Sequence, residues 1–367
     1  MSSGRKKVLF LASSLADGGA QRVFSILLRH LDRNRFEPHL GVLRAEGAYL
    51  TDLPSDVGVH DMRVSRIRYS LPAIVKLIRK LRPDAVMSTM LATNLALIAS
   101  KPFLPRGTRV LIREAASPSE ILLQETTHPR FWRWVYRHVY RHADRVICLS
   151  EAMVDDMVRQ FNLPREKIVR IYNPVEEEKV RELGESGGNP YSGPGPHLVS
   201  AGRLSREKGF DLLISALSAV LKQFPNAELV ILGEGRLKKD LVEQAAQLGL
   251  TERVRLPGFE QNPWRYFRHA DLFVLASRHE GMPNALLEAL AVGTPVVAAD
   301  CPGGIREIQS CAPPMVLVRP EDPQALAEAI ISMCGRTRTD GEIQQQARPD
   351  LSKFNLQQVV SEYSALF

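Results

Sequence analysis

The chain has 367 residues, 44% hydrophobic and 24% charged, the proportions of a soluble globular protein of two or three domains; a disordered, collagen-like or disulfide-stapled chain is excluded. Its four cysteines (Cys148, Cys301, Cys311, Cys334) are scattered without a CxxC pair, which argues against a structural zinc site and fits a reducing cytoplasm. The formal net charge of +7 is uneven: residues 1–183 hold 30 Lys and Arg against 20 Asp and Glu, and residues 184–367 hold 18 against 21. The first half alone is therefore suited to an anionic partner, whether phospholipid, nucleic acid or a phosphorylated ligand.

In chain order, Arg5-Lys6-Lys7 followed by Val8 to Leu11 resembles the start of a secretory signal. The apolar run is short and passes into Ala12-Ser13-Ser14, so it reads as a buried first strand entering a glycine turn. Strands are expected at 6–13, 38–43, 84–88, 108–113 and 144–149, and helices at 19–31, 71–81, 91–100, 130–142 and 151–161. The uncharged run Ala85 to Ser100 holds Ser88, Thr89, Thr93 and Asn94 and is shorter than the ~20 apolar residues needed to span a bilayer. Gly184 to Pro196, dense in Gly and Pro, reads as a linker. Strands then follow at 197–202, 227–232, 253–256, 271–275, 295–299 and 315–318, helices at 209–223, 235–248, 285–292 and 323–334, and an amphipathic helix ends the chain. Such alternation predicts α/β architecture. The expected organisation is two doubly wound, Rossmann-like domains, 1–183 and 197–351, joined by 184–196, with the C-terminal helix 352–367 packing back on the first. Ligands of open α/β sheets bind at the carboxyl ends of strands, so the expected site is a cleft between the domains.

Three segments could carry chemistry. Asp17-Gly18-Gly19-Ala20-Gln21-Arg22 lies between a strand and a helix, where glycine lets a ligand approach and the helix start supplies N–H groups; it is not the GxGxxG fingerprint. A plain tight turn explains it equally well. Arg203 and Lys208, at the end of the first strand of the second half, suit a diphosphate or form a solvated charged loop. Segment 279–308 begins His279-Glu280-Gly281-Met282-Pro283-Asn284, and Gly281 to Asn284 are expected to open a helix that receives phosphate or sugar hydroxyls. Eight helical residues span about 12 Å, so Glu280 and Glu288 are too far apart for an acid/base pair, which needs roughly 5–9.5 Å. They should grip different parts of one long ligand.

Taken together, GGAQRV at 18–23, NPV at 173–175, AGRLSREKG at 201–209, the glycine loop at 232–242 and EGMPNALLEALAVGTPVVAAD at 280–300 resemble the retaining GT-B glycosyltransferases of family 4. The resemblance covers nearly the whole chain and includes the Glu-x7-Glu motif. It implies a GT-B fold with two domains facing across a cleft, and a sugar moved from a nucleotide diphosphate without a metal or other cofactor. It further implies that Glu288 holds the nucleotide ribose, Glu280 contacts the donor sugar, and Arg203 and Lys208 neutralise the diphosphate. The backbone of Gly18, Gly19, Gly281, Met282, Pro283 and Asn284 would cradle sugar and phosphate, the N–H groups coming from the residues other than proline. The chain holds no Asp-x-Asp metal motif. Many relatives carry a histidine at a strand end of the first domain; here that stretch reads Ile112-Arg113-Glu114-Ala115-Ala116-Ser117. Arg113 or Glu114, or more remotely His128, would stand near the sugar instead.

Segment 130–145 (RFWRWVYRHVYRHADR) gathers Arg130, Arg133, Arg137, Arg141 and Arg145 on one side of a helical wheel, with Trp134 among them. Phe131, Trp132, Val135, Tyr136, Val139 and Tyr140 fill the other side. Arginines with interfacial aromatics suit an anionic membrane face; a packed helix with a solvated basic side is the plainer alternative. Arg63, Arg66, Arg68, Lys76, Arg79, Lys80 and Arg82 form a second basic cluster. His138 and His142 lack a third ligand nearby, so no metal is expected. The combined expectation is a UDP-sugar donor (N-acetylhexosamine or hexose), a lipid-linked glycan acceptor, no nucleic acid partner, and a peripheral place on the cytoplasmic face of the cell membrane. A sugar-nucleotide 2-epimerase of the same fold, or transfer to a soluble acceptor, is the alternative.

Overall fold

The computed structural model describes residues 4–16, 18–124, 127–312, 315–339 and 349–367. The chain forms two compact units, one running to Pro174 and regained by Leu356–Phe367, the other Val175–Asn355.

The first unit holds seven parallel strands: β1 (Lys6–Ala12), β2 (Phe36–Val42), β3 (Gly58–Asp61), β4 (Ala85–Thr89), β5 (Arg109–Arg113), β6 (Arg145–Cys148) and β7 (Ile168–Arg170). Their order is β3-β2-β1-β4-β5-β6-β7. The edge strands β3 and β7, absent from the sequence reading, are four and three residues long and only partly buried, so they lack an apolar run. Val8, Phe10 and Ala12 of β1 face one side, against Val23, Phe24, Leu27 and Leu28 of helix Gly19–His30 and Val359, Val360 and Tyr363 of helix Leu356–Leu366. The Phe10 ring meets Phe24 and Phe367 edge-on at 5.1 and 5.9 Å. The opposite side is covered by helices Leu71–Leu81 and Leu91–Ser100: Gly41, between Leu9 and Leu11, leaves room for Leu77.

The second unit holds β8 (His197–Ala201), β9 (Glu228–Leu232), β10 (Val254–Gly258), β11 (Leu272–Leu275), β12 (Val296–Ala299) and β13 (Met315–Val318), parallel and in the order β10-β9-β8-β11-β12-β13. Helices Phe210–Gln223 and Pro323–Thr339 pack together through Leu213, Leu217, Leu326 and Ile330.

The expected boundary at 183/184 moves to 174/175. Residues 184–186 are not linker but the end of helix Glu177–Ser186, which belongs to the second unit. Arg181 Nε donates to Ala291 O at 2.8 Å and Asn262 Nδ2 to Leu183 O at 2.7 Å. Gly184 marks close packing: a Cβ there would lie 3.3 Å from the Trp264 carbonyl oxygen. Glycine density thus signalled a helix crossing as well as a loop. Residues 352–354 form a separate short 3-10 turn in the second unit; only Leu356–Phe367 belong to the first.

Candidate active site

In each sheet the connections reverse direction once, between β1 and β4 and between β8 and β11. Loops leaving the two strands at such a switch point diverge and leave a crevice for a ligand. The site segments read from the sequence leave these strands.

In the second unit, β8 runs into 202–209 and β11 into 276–283, which leads to helix Asn284–Ala291. Lys208 closes a 3-10 turn, Arg206–Lys208, and its Nζ lies 2.6 Å from Glu280 Oε1. Ser277 Oγ donates to the same oxygen at 2.7 Å. Glu280 is buried, so a partnered, charge-assisted bond is what such a carboxylate requires. Arg278 braces both loops, donating to the two Asp211 carboxylate oxygens at 2.9 and 2.7 Å and to Arg206 O at 2.7 Å. Burial works to raise the Asp211 pKa, but the Arg278 hydrogen bonds and charge outweigh it and hold the carboxyl below its usual range. Glu207 is likewise depressed: burial opposes, while the Ser205 hydrogen bond and the Arg203 and Lys208 charges prevail. Arg203 itself is exposed.

Behind Glu280, Gly303 has φ +131, and a Cβ there would stand 2.0 Å from the Glu280 carbonyl oxygen. Glu280 N donates to Pro302 O at 3.0 Å and Gly304 N to Gly281 O at 2.9 Å. Gly281, Met282 and Pro283 form a buried lead-in, and only Asn284 of the four residues is helical. The 280–288 separation is therefore not helical throughout, because Pro283 sits at the N-cap with extended ψ. Glu288 is buried and accepts from Trp264 Nε1 at 2.9 Å.

In the first unit, Gly18 caps helix Gly19–His30 with φ +146, and a Cβ there would meet Gln21 Oε1 at 2.6 Å. Asp17 lies outside the described residues. Gln21 Nε2 reaches Met90 Sδ, 3.5 Å away, across the switch point.

Arg113 and Glu114, at the end of β5, are both buried and held by neighbouring side chains of the first unit. Arg113 donates from Nε to the Tyr363 hydroxyl (3.1 Å), from Nη1 to Thr89 Oγ1 (3.2 Å) and from Nη2 to Asn173 Oδ1 (2.5 Å). It ties β4, β5, the C-terminal helix and the last turn of chain before the second unit. Glu114 accepts from Asn94 Nδ2 at 2.9 Å and from the Tyr140 hydroxyl, while Ser88 Oγ donates to Asn94 Oδ1 at 2.7 Å. Burial pushes the Glu114 pKa up to about 7 against these donors and the Arg113 charge. His128 is exposed, just before helix Pro129–His138. Sequence reasoning missed Asn94, Tyr140, Trp264 and Tyr363, which approach the predicted residues through tertiary packing, and Ser277, three positions before Glu280 in the same loop.

The basic helix is shorter than expected. It ends at His138, and Arg141 falls in the 3-10 turn Tyr140–His142 while Arg145 opens β6. Arg130, Arg133, Trp134 and Arg137 are exposed. So is Phe131, although it lies opposite the arginines on the helical wheel; Val135 and Tyr136 form the packed side. Among the described residues no group of three His, Cys, Asp or Glu could hold a metal ion, and no helix is long and apolar enough to cross a membrane.

Two family descriptions divide the chain between them: Glycosyltransferase Family 4 over residues 17–179 and Glycosyl transferases group 1 over residues 189–349. A Campylobacter jejuni protein named N-acetylgalactosamine-N,N'-diacetylbacillosaminyl-diphospho-undecaprenol 4-alpha-N-acetylgalactosaminyltransferase is 29% identical over 306 residues, 80% of this chain and 81% of that one. The amylovoran biosynthesis glycosyltransferase AmsD of Erwinia amylovora is 24% identical over 305 residues, 82% and 83% of the two chains. The solved structure of Anabaena HepE in complex with UDP-glucose superposes with a TM-score of 0.78 over 99% of this chain and 100% of that one, at 21% identity. Two Rossmann-like sheets, each with its site segments at the switch point, are the GT-B arrangement, and with both family descriptions matched in chain order this chain belongs to the group 1, family 4 glycosyltransferases.

Proposed function

We propose that the protein is a retaining, metal-independent glycosyltransferase. It moves an N-acetylhexosamine or hexose from a UDP-sugar to a lipid-linked glycan in cell-surface polysaccharide assembly. The observation that carries the reading is the Lys208–Glu280 pair across the β8/β11 switch point, with exposed Arg203 beside it and buried Glu288 on the helix beyond. In this reading Glu288 binds the ribose diol, Glu280 orients the donor sugar, and the Gly281–Asn284 and Gly18–Gly19 segments receive sugar and phosphate. Arg203 and Lys208 stabilise charge as the C1–O bond to the diphosphate breaks. The acceptor oxygen forms its bond to C1 on the same face, and the departing phosphate oxygen takes the acceptor's proton. No enzymic nucleophile or metal ion is required.

The Campylobacter relative's name specifies a diphospho-undecaprenol acceptor and the HepE structure a UDP-sugar; both support, by similarity, the substrate classes proposed here. The basic, aromatic surface of helix Pro129–His138 supports a place on the cytoplasmic face of the cell membrane.

A thermal-shift screen of sugar nucleotides tests the donor. UDP-sugars should raise the melting temperature, and Glu288→Ala should weaken the UDP-sugar roughly tenfold by removing a charge-assisted hydrogen bond. Stabilisation by ADP- or GDP-sugars alone overturns the donor assignment. NMR of the product from a UDP-α-sugar should show an α linkage, and a β linkage overturns retention.

A further inference from the structure

We propose that Trp264 is a positioning residue for Glu288, and that its indole N–H lets the site select a ribonucleoside diphosphate sugar over a deoxyribonucleoside one. The inference rests on the reading above in which Glu288 binds the ribose diol, and it names the residue that sets the selectivity of that contact.

Trp264 Nε1 donates to Glu288 Oε2 at 2.9 Å, and both side chains are buried. An indole N–H is a donor only, and an ionised carboxylate is an acceptor only, with about four lone-pair sites. One charge-assisted bond from a rigid ring therefore uses a single site and fixes the plane of the group. Without that bond the carboxylate turns about its last side-chain torsion, which is broad and roughly two-fold. Two adjacent ribose hydroxyls need both carboxylate oxygens held in one orientation. A lone hydroxyl, as in 2′-deoxyribose, makes its single contact at many orientations. Fixing the plane thus favours the diol.

The indole is itself held by the elements around it. Trp264 opens the short helix Trp264–His269, which packs on helices Glu177–Ser186 and Asn284–Ala291. Thr294 Oγ1 donates to Phe267 O at 2.7 Å and ties that short helix to the chain just beyond the helix that carries Glu288. The bonds from Arg181 to Ala291 O and from Asn262 to Leu183 O fasten helix Glu177–Ser186 to both of the others. Gly184 admits the crossing, since a Cβ there would stand 3.3 Å from the Trp264 carbonyl oxygen and 3.3 Å from Val292 Cγ1. Three helices thus set the distance between Trp264 and Glu288, which lie 24 positions apart. Buried tryptophan N–H groups usually find some partner. Here the partner is the carboxylate that meets the ligand in the proposed function, so the ring does more than fill space.

The test titrates the full chain with UDP and with 2′-deoxy-UDP in a calorimeter. Wild type should bind UDP about tenfold more tightly or better, the loss expected when a hydroxyl that donates to a charged group is removed. Trp264→Phe keeps an aromatic ring and removes the donor. It should weaken UDP and bring the ratio below about threefold, because an unfixed carboxylate loses the second hydroxyl contact. A variant that keeps the wild-type ratio, or weakens both ligands by the same factor, overturns the proposal and leaves Trp264 a packing residue. A wild type that binds both ligands equally overturns instead the ribose assignment of Glu288 on which the proposal rests. If Trp264→Phe does not fold, the bond is read directly. In a Trp132→Phe, Trp134→Phe background Trp264 is the sole tryptophan. Its N–H hydrogen-bond band in ultraviolet resonance Raman spectra should shift when UDP binds, as the diol shares the carboxylate charge, and shift less with 2′-deoxy-UDP. An unshifted band, or equal shifts with the two ligands, overturns the proposal.

Discussion

Lys208 and Arg203 stand in different surroundings although five residues apart. Lys208 is held against Glu280 and Arg203 is exposed; in the function proposed above both meet the departing diphosphate. Arg203→Ala combined with Lys208→Ala should lower kcat by 10²–10³-fold or more, in the range of lost charge-stabilising donors, with a smaller change in donor affinity. Steady-state kinetics with direct titration of the donor decides it, and unchanged turnover ends the phosphate assignment. Glu114 makes a separate statement about pH. Burial raises its folded pKa from 4.5 to about 7, so the folded chain holds a proton that the unfolded chain has released. Stability from this group is therefore greatest below about pH 4.5 and declines as pH rises towards 7, by an amount on the order of 3 kcal/mol for a shift of this size. Glu114→Gln keeps an acceptor for Asn94 and Tyr140 and should remove that decline, which denaturant midpoints across the range would reveal.

At the scale of elements, glycines set how closely the site loops approach. Gly303 lies under the Glu280 carbonyl with φ +131, where a side chain meets both a steric block and a strained backbone. Gly303→Ala should displace the 280–283 lead-in, destabilise the second unit by about 1–3 kcal/mol, and weaken donor binding though Gly303 bears no functional group. Retained donor affinity with normal stability would contradict this packing. Gly184 makes the complementary point. It was legible as a loop residue from its neighbours Gly187 and Gly188, yet it lies where helix Glu177–Ser186 meets the Trp264 carbonyl. Composition alone does not distinguish a glycine that frees the backbone from one that admits a neighbour.

Over the whole molecule, the chain leaves the first unit after Pro174 and returns at Leu356. The returning segment buries Val359, Val360, Tyr363 and Phe367 in the first unit's core, the Val and Phe side chains worth about 1.5–3 kcal/mol each, and Tyr363 accepts from the buried Arg113. Deleting Leu356–Phe367 should lower the first unit's melting temperature and leave the second unit's transition near its original place, giving two separated transitions in calorimetry. A single unshifted transition would show that the helix contributes little.

The sequence by itself determined the alternation of strands and helices, the two sheets and the residues at their carboxyl ends, because these depend on local apolar periodicity and on motifs within a few residues. It singled out Glu280, Glu288, Lys208 and Arg203 as candidates, although not that Lys208 would close on Glu280. The edge strands β3 and β7 were hidden because short, half-exposed strands lack a periodic apolar signal. Only tertiary structure decided the boundary at Pro174, the burial of Arg113 and Glu114 and the exposure of Phe131. Each depends on which neighbours pack from distant parts of the chain: Tyr363 lies 250 positions from Arg113, and no local pattern encodes that meeting.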